Sequence, residues 1–151
     1  METKPPELKI SKSNYVSYRK GNITNDYKID KPIGAGTFGT VRKAKHKVTG
    51  NERAIKILKK NEQDEAKFYL EVEILSKLSH PNIMQIYEFY DDSKCFYIVS
   101  EFIPGGELFD RIDEKGLLYE EEAADILKQL LSAISYSHKN SIVHRYITYN
   151  Q

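Results

Sequence analysis

Apolar residues recur at strand-like intervals from residue 27 onward, whereas the residues before it show no sustained periodicity. Three short apolar runs are separated by turn-rich segments at 34–39 and 48–51. These runs are Tyr27, Ile29 and Ile33, then Val41 and Ala44, then Ala54, Ile55 and Ile57. Strands joined by tight turns predict an antiparallel meander, and the polar residues 1–26 predict a flexible N-terminal segment.

Residues 62–78 follow a helical pattern instead. Steps of about 100° per residue place five large apolar side chains on one broad arc: Phe68, Leu70, Ile74, Leu75 and Leu78. Glu71 falls in the middle of this arc, whereas Glu73 falls on the opposite, solvated face. We therefore expect the two acids to have different roles.

The pattern after residue 80 predicts two more strands and two more helices. The strands are expected at 83–90 and 95–102, and the helices at 107–112 and 120–139. The long helix has one apolar side, formed by Ala123, Ile126, Leu127, Leu130, Leu131 and Ile134. Five strands with one helix, followed by further helices, predict an α+β fold.

Composition narrows the class of protein. The chain has 23 Lys and Arg residues against 22 Asp and Glu, and the net charge of +1 predicts neither nucleic-acid nor membrane binding. No apolar run is long enough to span a bilayer and no signal-peptide pattern is present, so we expect an intracellular, cytoplasmic protein. The single cysteine, Cys95, excludes an intrachain disulfide, and four scattered histidines predict no metal site.

Three spaced glycines are the first sign of chemistry. Residues 34–41 read G-x-G-x-x-G-x-V, in which glycine lets the backbone approach phosphate oxygens closely. A dinucleotide-binding loop would open directly into a helix, but residues 40–45 continue as a strand, and the Gly-Lys-Ser/Thr ending of a Walker A loop is missing. A glycine-rich hairpin without a ligand remains an alternative on this motif alone.

Lys56 is the second candidate, because it stands in an otherwise apolar strand. An unpaired ammonium is costly to bury, so Lys56 requires an anion nearby. Glu71, on the apolar arc of the next helix, is the natural partner, and one ion pair would explain both residues. Taken singly, each has a plainer reading, since Lys56 could extend to water from an edge strand and Glu71 could lie at the flank of its helix.

Together these motifs resemble a protein kinase. The resemblance rests on residues 34–41, Arg53-Ala54-Ile55-Lys56, Glu71, His80-Pro81-Asn82-Ile83 and residues 100–110, and it extends over about four-fifths of the chain, from Tyr27 to Arg145. The sequence is most similar in character to the calcium-dependent and calmodulin-dependent serine/threonine kinases. The resemblance implies a kinase small lobe at 27–103, with a five-stranded antiparallel sheet and one helix, and the start of the large lobe at 104–145.

The resemblance also implies an ATP site. Lys56 would hold the α and β phosphates under the glycine loop, and Glu71 would fix Lys56 in place. Ser100 would be the gatekeeper behind the adenine. The residues implied to bind ATP are Ile33, Gly34, Ala35, Gly36, Thr37, Phe38, Gly39, Val41, Ala54, Lys56, Glu101, Ile103 and Glu107.

The match to the kinase pattern stops at the catalytic loop. Kinases continue with an aspartate after the His-Arg pair, but here Tyr146 follows Arg145, and Gln151 stands where an asparagine would hold magnesium. A neutral phenol cannot replace the carboxylate, so no complete catalytic set is expected, and residues 146–151 are a divergent tail. Mg²⁺ is implied by the resemblance, but without its ligands we expect ATP binding to be weak or lost.

Three functional interpretations follow. The first is a serine/threonine kinase family member, present as a truncated domain that is inactive alone and whose protein substrate belongs to a full-length relative. The second is a short pseudokinase that acts as a binding or regulatory module, with a protein partner on the exposed helix 120–139. The third is a truncated product without function. A transcript that continues in frame with Asp-Leu-Lys-Pro-Glu-Asn would establish the first.

Overall fold

The computed structural model describes residues 16–36, 39–60 and 65–144. Within these ranges one sheet contains six strands: β1 (Ser17–Lys20), β2 (Tyr27–Gly36), β3 (Gly39–His46), β4 (Glu52–Lys59), β5 (Ile86–Asp91) and β6 (Cys95–Glu101). The helices are α1 (Glu65–Ser76), α2 (Leu108–Lys115) and α3 (Glu120–Lys139). The predicted α+β class is confirmed, and α3 has the predicted bounds.

The strands lie in the order β1-β5-β6-β4-β3-β2. Strand β1 runs parallel to β5, and every other neighbouring pair is antiparallel. The prediction of five strands is therefore wrong, because residues 17–20 belong to the sheet and not to a flexible segment. Their sequence, Ser-Tyr-Arg-Lys, lacks an apolar alternation, so the pairing with β5 left no periodic signal. Residues 1–15 lie outside the described part of the chain.

Two separate cores cover the two faces of the sheet. On one face the buried residues are Leu58, Phe68, Ile86, Phe89, Phe96 and Ile98. On the other face they are Ile23, Tyr27, Ala44, Ile55, Tyr90 and Val99. Side chains alternate between the faces along each strand, which is why β4 and β6 contribute to both cores.

Helix α1 packs on the first of these faces through Phe68. The Phe68 ring stacks on Phe96, with centroids 4.1 Å apart and an angle of 11° between the planes, and meets Phe89 edge-on at 6.3 Å. Phe68 and Leu75 of the predicted apolar arc pack on the sheet, but Leu70 is 57% exposed and Ile74 is 36% exposed, so the arc is only partly buried. The face that packs on the sheet is centred on Phe68, Val72 and Leu75.

The turn at residues 79–82, which lies between α1 and β5 in the sequence, makes hydrogen-bond contacts with helix α3. The hydroxyl of Tyr136 accepts a hydrogen bond from the Ser79 amide at 3.0 Å, and the Asn82 side-chain amide donates to Gln129 at 3.0 Å. His80 Nε2 lies 3.1 Å from the Ser132 hydroxyl. The side of α3 that carries Gln129 and Ser132 therefore faces this turn.

The apolar side of α3 is largely open to solvent. Leu127, Leu130 and Leu131 are 53%, 41% and 55% exposed. The expectation that this helix binds a protein partner stays a prediction. In the part of the chain that the structure describes, no helix combines the length and the apolar character that a bilayer crossing requires.

The N-terminal segment contributes a central side chain to the second core. Ile23, in a short 3-10 turn (Ile23–Asn25) between β1 and β2, is fully buried. Replacement by alanine removes packed methyl groups and leaves a cavity, so we expect Ile23→Ala to lower the free energy of unfolding by about 2–5 kcal/mol.

Urea denaturation of the two proteins measures this difference. Val48→Ala is the control, because Val48 is 89% exposed, and its effect should lie within about 0.5 kcal/mol. Equal stability of Ile23→Ala and Val48→Ala would show that the segment before residue 27 is not part of the folded core.

Candidate nucleotide site

The glycine stretch forms the turn end of a β-hairpin. Strands β2 and β3 pair with Gly34 opposite Val41, Ala35 opposite Thr40 and Gly36 opposite Gly39. Two register shifts, between Ile29 and Pro32 and between Pro32 and Gly34, distort β2 just before the glycines. Thr37 and Phe38, which follow Gly36 in the sequence, lie outside the described residues. The hairpin places a small-residue backbone at one end of the sheet, as a phosphate-covering loop requires.

Gly39 is held in a position that only glycine fits. Its φ of +142° is rare for residues with a side chain, and a Cβ atom added there would lie 2.1 Å from the Ile57 carbonyl oxygen. The Ile57 backbone belongs to β4, the strand that carries Lys56. The close approach of β3 to β4 therefore requires a residue without a Cβ atom at position 39.

Ala54 and Lys56 lie on one face of β4, next to Val41. In the register of the sheet, Lys56 is opposite Val41 on β3 and opposite Ile98 on β6, and Ala54 is opposite Ser100. Directly opposed residues of antiparallel strands project to the same side. Val41, Ala54 and Lys56, three of the residues predicted to contact the nucleotide, thus share the face on which α1 packs. Lys56 lies on an inner strand, which removes the edge-strand interpretation of this lysine.

Glu71 follows Phe68 by three residues in α1, so the two positions are neighbours on the helix surface. Because Phe68 is anchored against the sheet, position 71 lies near the face that packs on it. The Glu71 side chain lies outside the described part of the structure, and its pairing with Lys56 stays a prediction. Among the described side chains, none forms an ion pair with Lys56.

Glu73 has the surface role that the helical pattern predicted. Its carboxylate lies 2.7 Å from Lys77 Nζ, and both side chains are more than half exposed. The hydrogen bond from Lys77 and its positive charge hold the pKa of Glu73 below the ordinary value. Glu73 is therefore satisfied locally and is not available to the sheet face.

The end of the sheet predicted to hold the adenine combines a buried serine with an exposed residue just beyond β6. Ser100 is 6% exposed, and its hydroxyl donates to the Ala54 carbonyl at 3.4 Å. The Glu101 amide donates to the Gln85 carbonyl at 2.8 Å, so this amide is already engaged and is not available for the predicted contact with a base. Ile103 is 58% exposed, just beyond β6. At this end of the sheet, the small, buried Ser100 is therefore followed by the exposed Ile103.

Four further predicted site residues lie at the margins. Ile33, on β2, is 44% exposed. Glu107 immediately precedes α2 in an extended conformation and makes no side-chain capping bond there. For Ala35 and Gly36 the structure describes the backbone pairing, with Thr40 and Gly39 opposite them. The structure leaves the individual roles of these residues as predictions.

Lys43 is a residue at the site that the sequence reasoning missed. It lies opposite Ala54 in the register, its Nζ is 2.7 Å from Glu52, and it stands 4.5 Å from the centroid of the Phe102 ring. This cation–π contact joins β3 to the segment after β6. Nothing in the sequence marks Lys43 apart from other strand lysines, because its role depends on the register of three strands.

The catalytic end of the predicted site falls beyond the described residues. Tyr146, at the position of the family aspartate, lies outside them, as does Gln151. Within residues 16–36, 39–60 and 65–144, no cluster of three or more His, Cys, Asp or Glu side chains is arranged to hold a metal ion.

Comparison with known proteins gives a consistent match. The family described as protein kinase domain matches residues 27–148. Calcium-dependent protein kinase 4 of Plasmodium berghei (strain Anka) is 44% identical over 144 residues, which cover 93% of this chain and 26% of that protein. The protein of the same name from Plasmodium falciparum (isolate 3D7) is 43% identical over 144 residues, with the same coverage of each chain.

A third relative is the probable myosin light chain kinase of Dictyostelium discoideum. It is 41% identical over 130 residues, which cover 84% of this chain and 33% of the relative. The chain thus spans about a quarter to a third of the length of the curated relatives that it matches.

The contact at Gly39 generates a stability prediction. Gly39→Ala places a methyl group against the Ile57 carbonyl in an unfavourable backbone conformation, and we expect a loss of about 1–3 kcal/mol in the free energy of unfolding. Gly34→Ala is the matched control in the same hairpin, because a Cβ there would lie 4.0 Å from Val41 Cβ, an ordinary contact distance. Chemical denaturation compares the two, and similar stabilities would contradict the close approach of β3 to β4 at Gly39.

Proposed function

Since the chain belongs to the protein kinase family, we propose that the sheet face bearing Ala54 and Lys56 binds ATP. The observation that carries this proposal is the strand register, which brings Val41, Ala54 and Lys56 to one face beside helix α1. In this arrangement the ammonium of Lys56 would neutralise the α and β phosphates, and the apolar side chains of Val41 and Ala54 would enclose the adenine.

The recognition of the base would use backbone groups. The carbonyl of Glu101 and the backbone of Ile103 follow the buried Ser100, so they are suited to bind the polar edge of adenine. The small Ser100 side chain would leave space behind the base. The glycine hairpin would cover the phosphates with backbone amides, as glycines permit.

The activity of the family is transfer of the γ-phosphoryl group of ATP to a protein hydroxyl, with Mg²⁺ bound to the nucleotide. We propose that this chain supplies the nucleotide-binding part of a serine/threonine kinase and does not complete the transfer alone. The reason is the residue at position 146, where tyrosine replaces the carboxylate that would orient the substrate hydroxyl. Acceptor proteins and calcium regulation are suggested only by the names of the relatives.

Nucleotide binding is tested by titrating the 151-residue chain with Mg²⁺ and a non-hydrolysable ATP analogue, followed by NMR. We expect weak binding, with a Kd on the order of 0.1–1 mM, because positions 146 and 151 lack the family's acidic and amide side chains. Lys56→Met should weaken binding about tenfold or more, since it removes the cation that holds the phosphates.

Lys47→Met is the control for general charge loss, because Lys47 is exposed in the turn between β3 and β4. It should bind as the parent chain does. Equal affinity of Lys56→Met and the parent chain would contradict the proposed site. A micromolar Kd for the parent chain would contradict the expected weakness.

Phosphoryl transfer is tested with radiolabelled ATP and a general serine/threonine acceptor protein, with an active kinase domain as positive control. We expect no transfer by this chain above background, because no carboxylate stands at position 146. Transfer that is lost in Lys56→Met would overturn the view that the chain is inactive alone.

A further inference from the structure

A cluster of polar side chains joins the N-terminal strand to helix α1. The Tyr18 hydroxyl donates to Asp91 Oδ2 at 2.7 Å, and the Tyr69 hydroxyl donates to the same oxygen at 3.0 Å. The two hydroxyl oxygens are 3.1 Å apart, and Lys60 Nζ lies 2.6 Å from Asp91 Oδ1. We refer to Tyr18, Lys60, Tyr69 and Asp91 as the Asp91 cluster.

The Asp91 cluster brings together four separate parts of the chain. Tyr18 comes from β1, Lys60 from the residue after β4, Tyr69 from α1 and Asp91 from the end of β5. The Tyr18 and Tyr69 rings also lie near each other, with centroids 6.2 Å apart. One carboxylate is therefore a shared acceptor that links β1 to the helix, beside the direct contact between the two tyrosines.

Because Tyr69 belongs to α1, its hydrogen bond to Asp91 can restrict the position of the helix. Phe68, the residue before it, fixes one point of the helix by stacking on Phe96. Val72 and Leu75 pack on the same face, but apolar packing is not directional, and a hydrogen-bonded attachment further restricts rotation of the helix on the sheet. Tyr69 supplies one through Asp91, and Glu71 lies only two residues further along the same helix.

The electrostatics of the cluster are consistent with an ionised acceptor. The Asp91 side chain is only 11% exposed. Burial alone would raise its pKa, but hydrogen bonds from Lys60, Tyr18 and Tyr69 hold the pKa of Asp91 below its ordinary value. The hydrogen bond to Asp91 in turn raises the pKa of Lys60. Hydrogen bonds to a charged carboxylate are among the stronger ones in proteins.

We propose that Tyr18 is a positioning residue for helix α1: by way of the shared Asp91 carboxylate, strand β1 holds the helix, and with it Glu71, in place beside the nucleotide site. This inference rests on the proposed function. It assigns the N-terminal strand a role in nucleotide affinity although none of its residues lies on the nucleotide-binding part of the sheet.

The test removes one hydroxyl at a time from the full 151-residue chain. Tyr18→Phe and Tyr69→Phe keep the rings and lose the bonds to Asp91. The control is Tyr27→Phe, which loses a hydrogen bond of 2.6 Å to Glu88 in the other core. All three substitutions remove a tyrosine hydroxyl from a carboxylate, but the control does not touch α1.

The first readout is amide hydrogen exchange without nucleotide. We expect Tyr18→Phe and Tyr69→Phe to raise exchange in α1 about tenfold, while amides of β4 and β6 stay as in the parent chain. In the double variant the effect should be smaller than the product of the two single effects, because both hydroxyls share one acceptor. Tyr27→Phe should leave α1 exchange within about twofold.

The second readout is the Kd for the Mg²⁺ complex of a non-hydrolysable ATP analogue. We expect Tyr18→Phe to weaken binding several-fold and Tyr27→Phe to leave it unchanged. Unchanged α1 exchange in Tyr18→Phe overturns the proposal, and so does raised α1 exchange with unchanged affinity. A uniform rise of exchange over the whole sheet also overturns it, because that pattern indicates general destabilisation.

Failure of the proposed function gives a different result. If the parent chain binds no nucleotide, the ATP site is wrong, and the exchange comparison alone decides whether β1 positions α1. If Tyr18→Phe does not fold, Asp91→Asn, which keeps the shape of the acceptor and removes its charge, takes its place under the same criteria.

Discussion

The packing of Phe68 against the aromatic residues of the sheet determines where helix α1 lies. Phe68 is fully buried between Phe96 and Phe89, and burial of one such ring contributes about 1.5–3 kcal/mol. Stacked and edge-on aromatic pairs add about 0.5–1.5 kcal/mol each. Together with Val72 and Leu75, which pack on the same cluster as Leu58 of β4, this contact sets the distance between the helix and the strand that carries Lys56.

The two faces of the sheet differ: both carry a hydrophobic core, but only the face under α1 also carries the candidate nucleotide residues. The face under α1 has a closed aromatic core at the β5–β6 end and the candidate nucleotide residues at the β3–β4 end. The opposite face has its own core, sealed by Ile23 from the N-terminal turn. A rigid, doubly packed sheet can therefore hold Ala54 and Lys56 in a fixed relation while the hairpin above them depends mainly on glycine.

The N-terminal segment completes the sheet at its β5 edge. An uncovered edge strand exposes unpaired backbone groups, and β1 satisfies those of β5 by parallel pairing. Polar contacts reinforce this pairing on both faces, through the Asp91 cluster on one and through Arg19 with Asp26 and Glu88 on the other. Residues 16–26, which the sequence predicted to be part of a flexible segment, are thus connected to both cores.

Local patterns in the sequence determined the elements and their candidate chemistry. The two-residue spacing of Ala54 and Lys56 already placed them on one side of a strand, and the helical period gave the bounds of α3. Tertiary structure alone decided that β1 joins the sheet, that Lys43 lies opposite Ala54, and that Leu70 and Ile74 of α1 face outward. The physical reason is that periodicity reports the geometry within one element, whereas pairing and burial depend on which distant residues, such as Phe96 and Asp91, are there to receive each side chain.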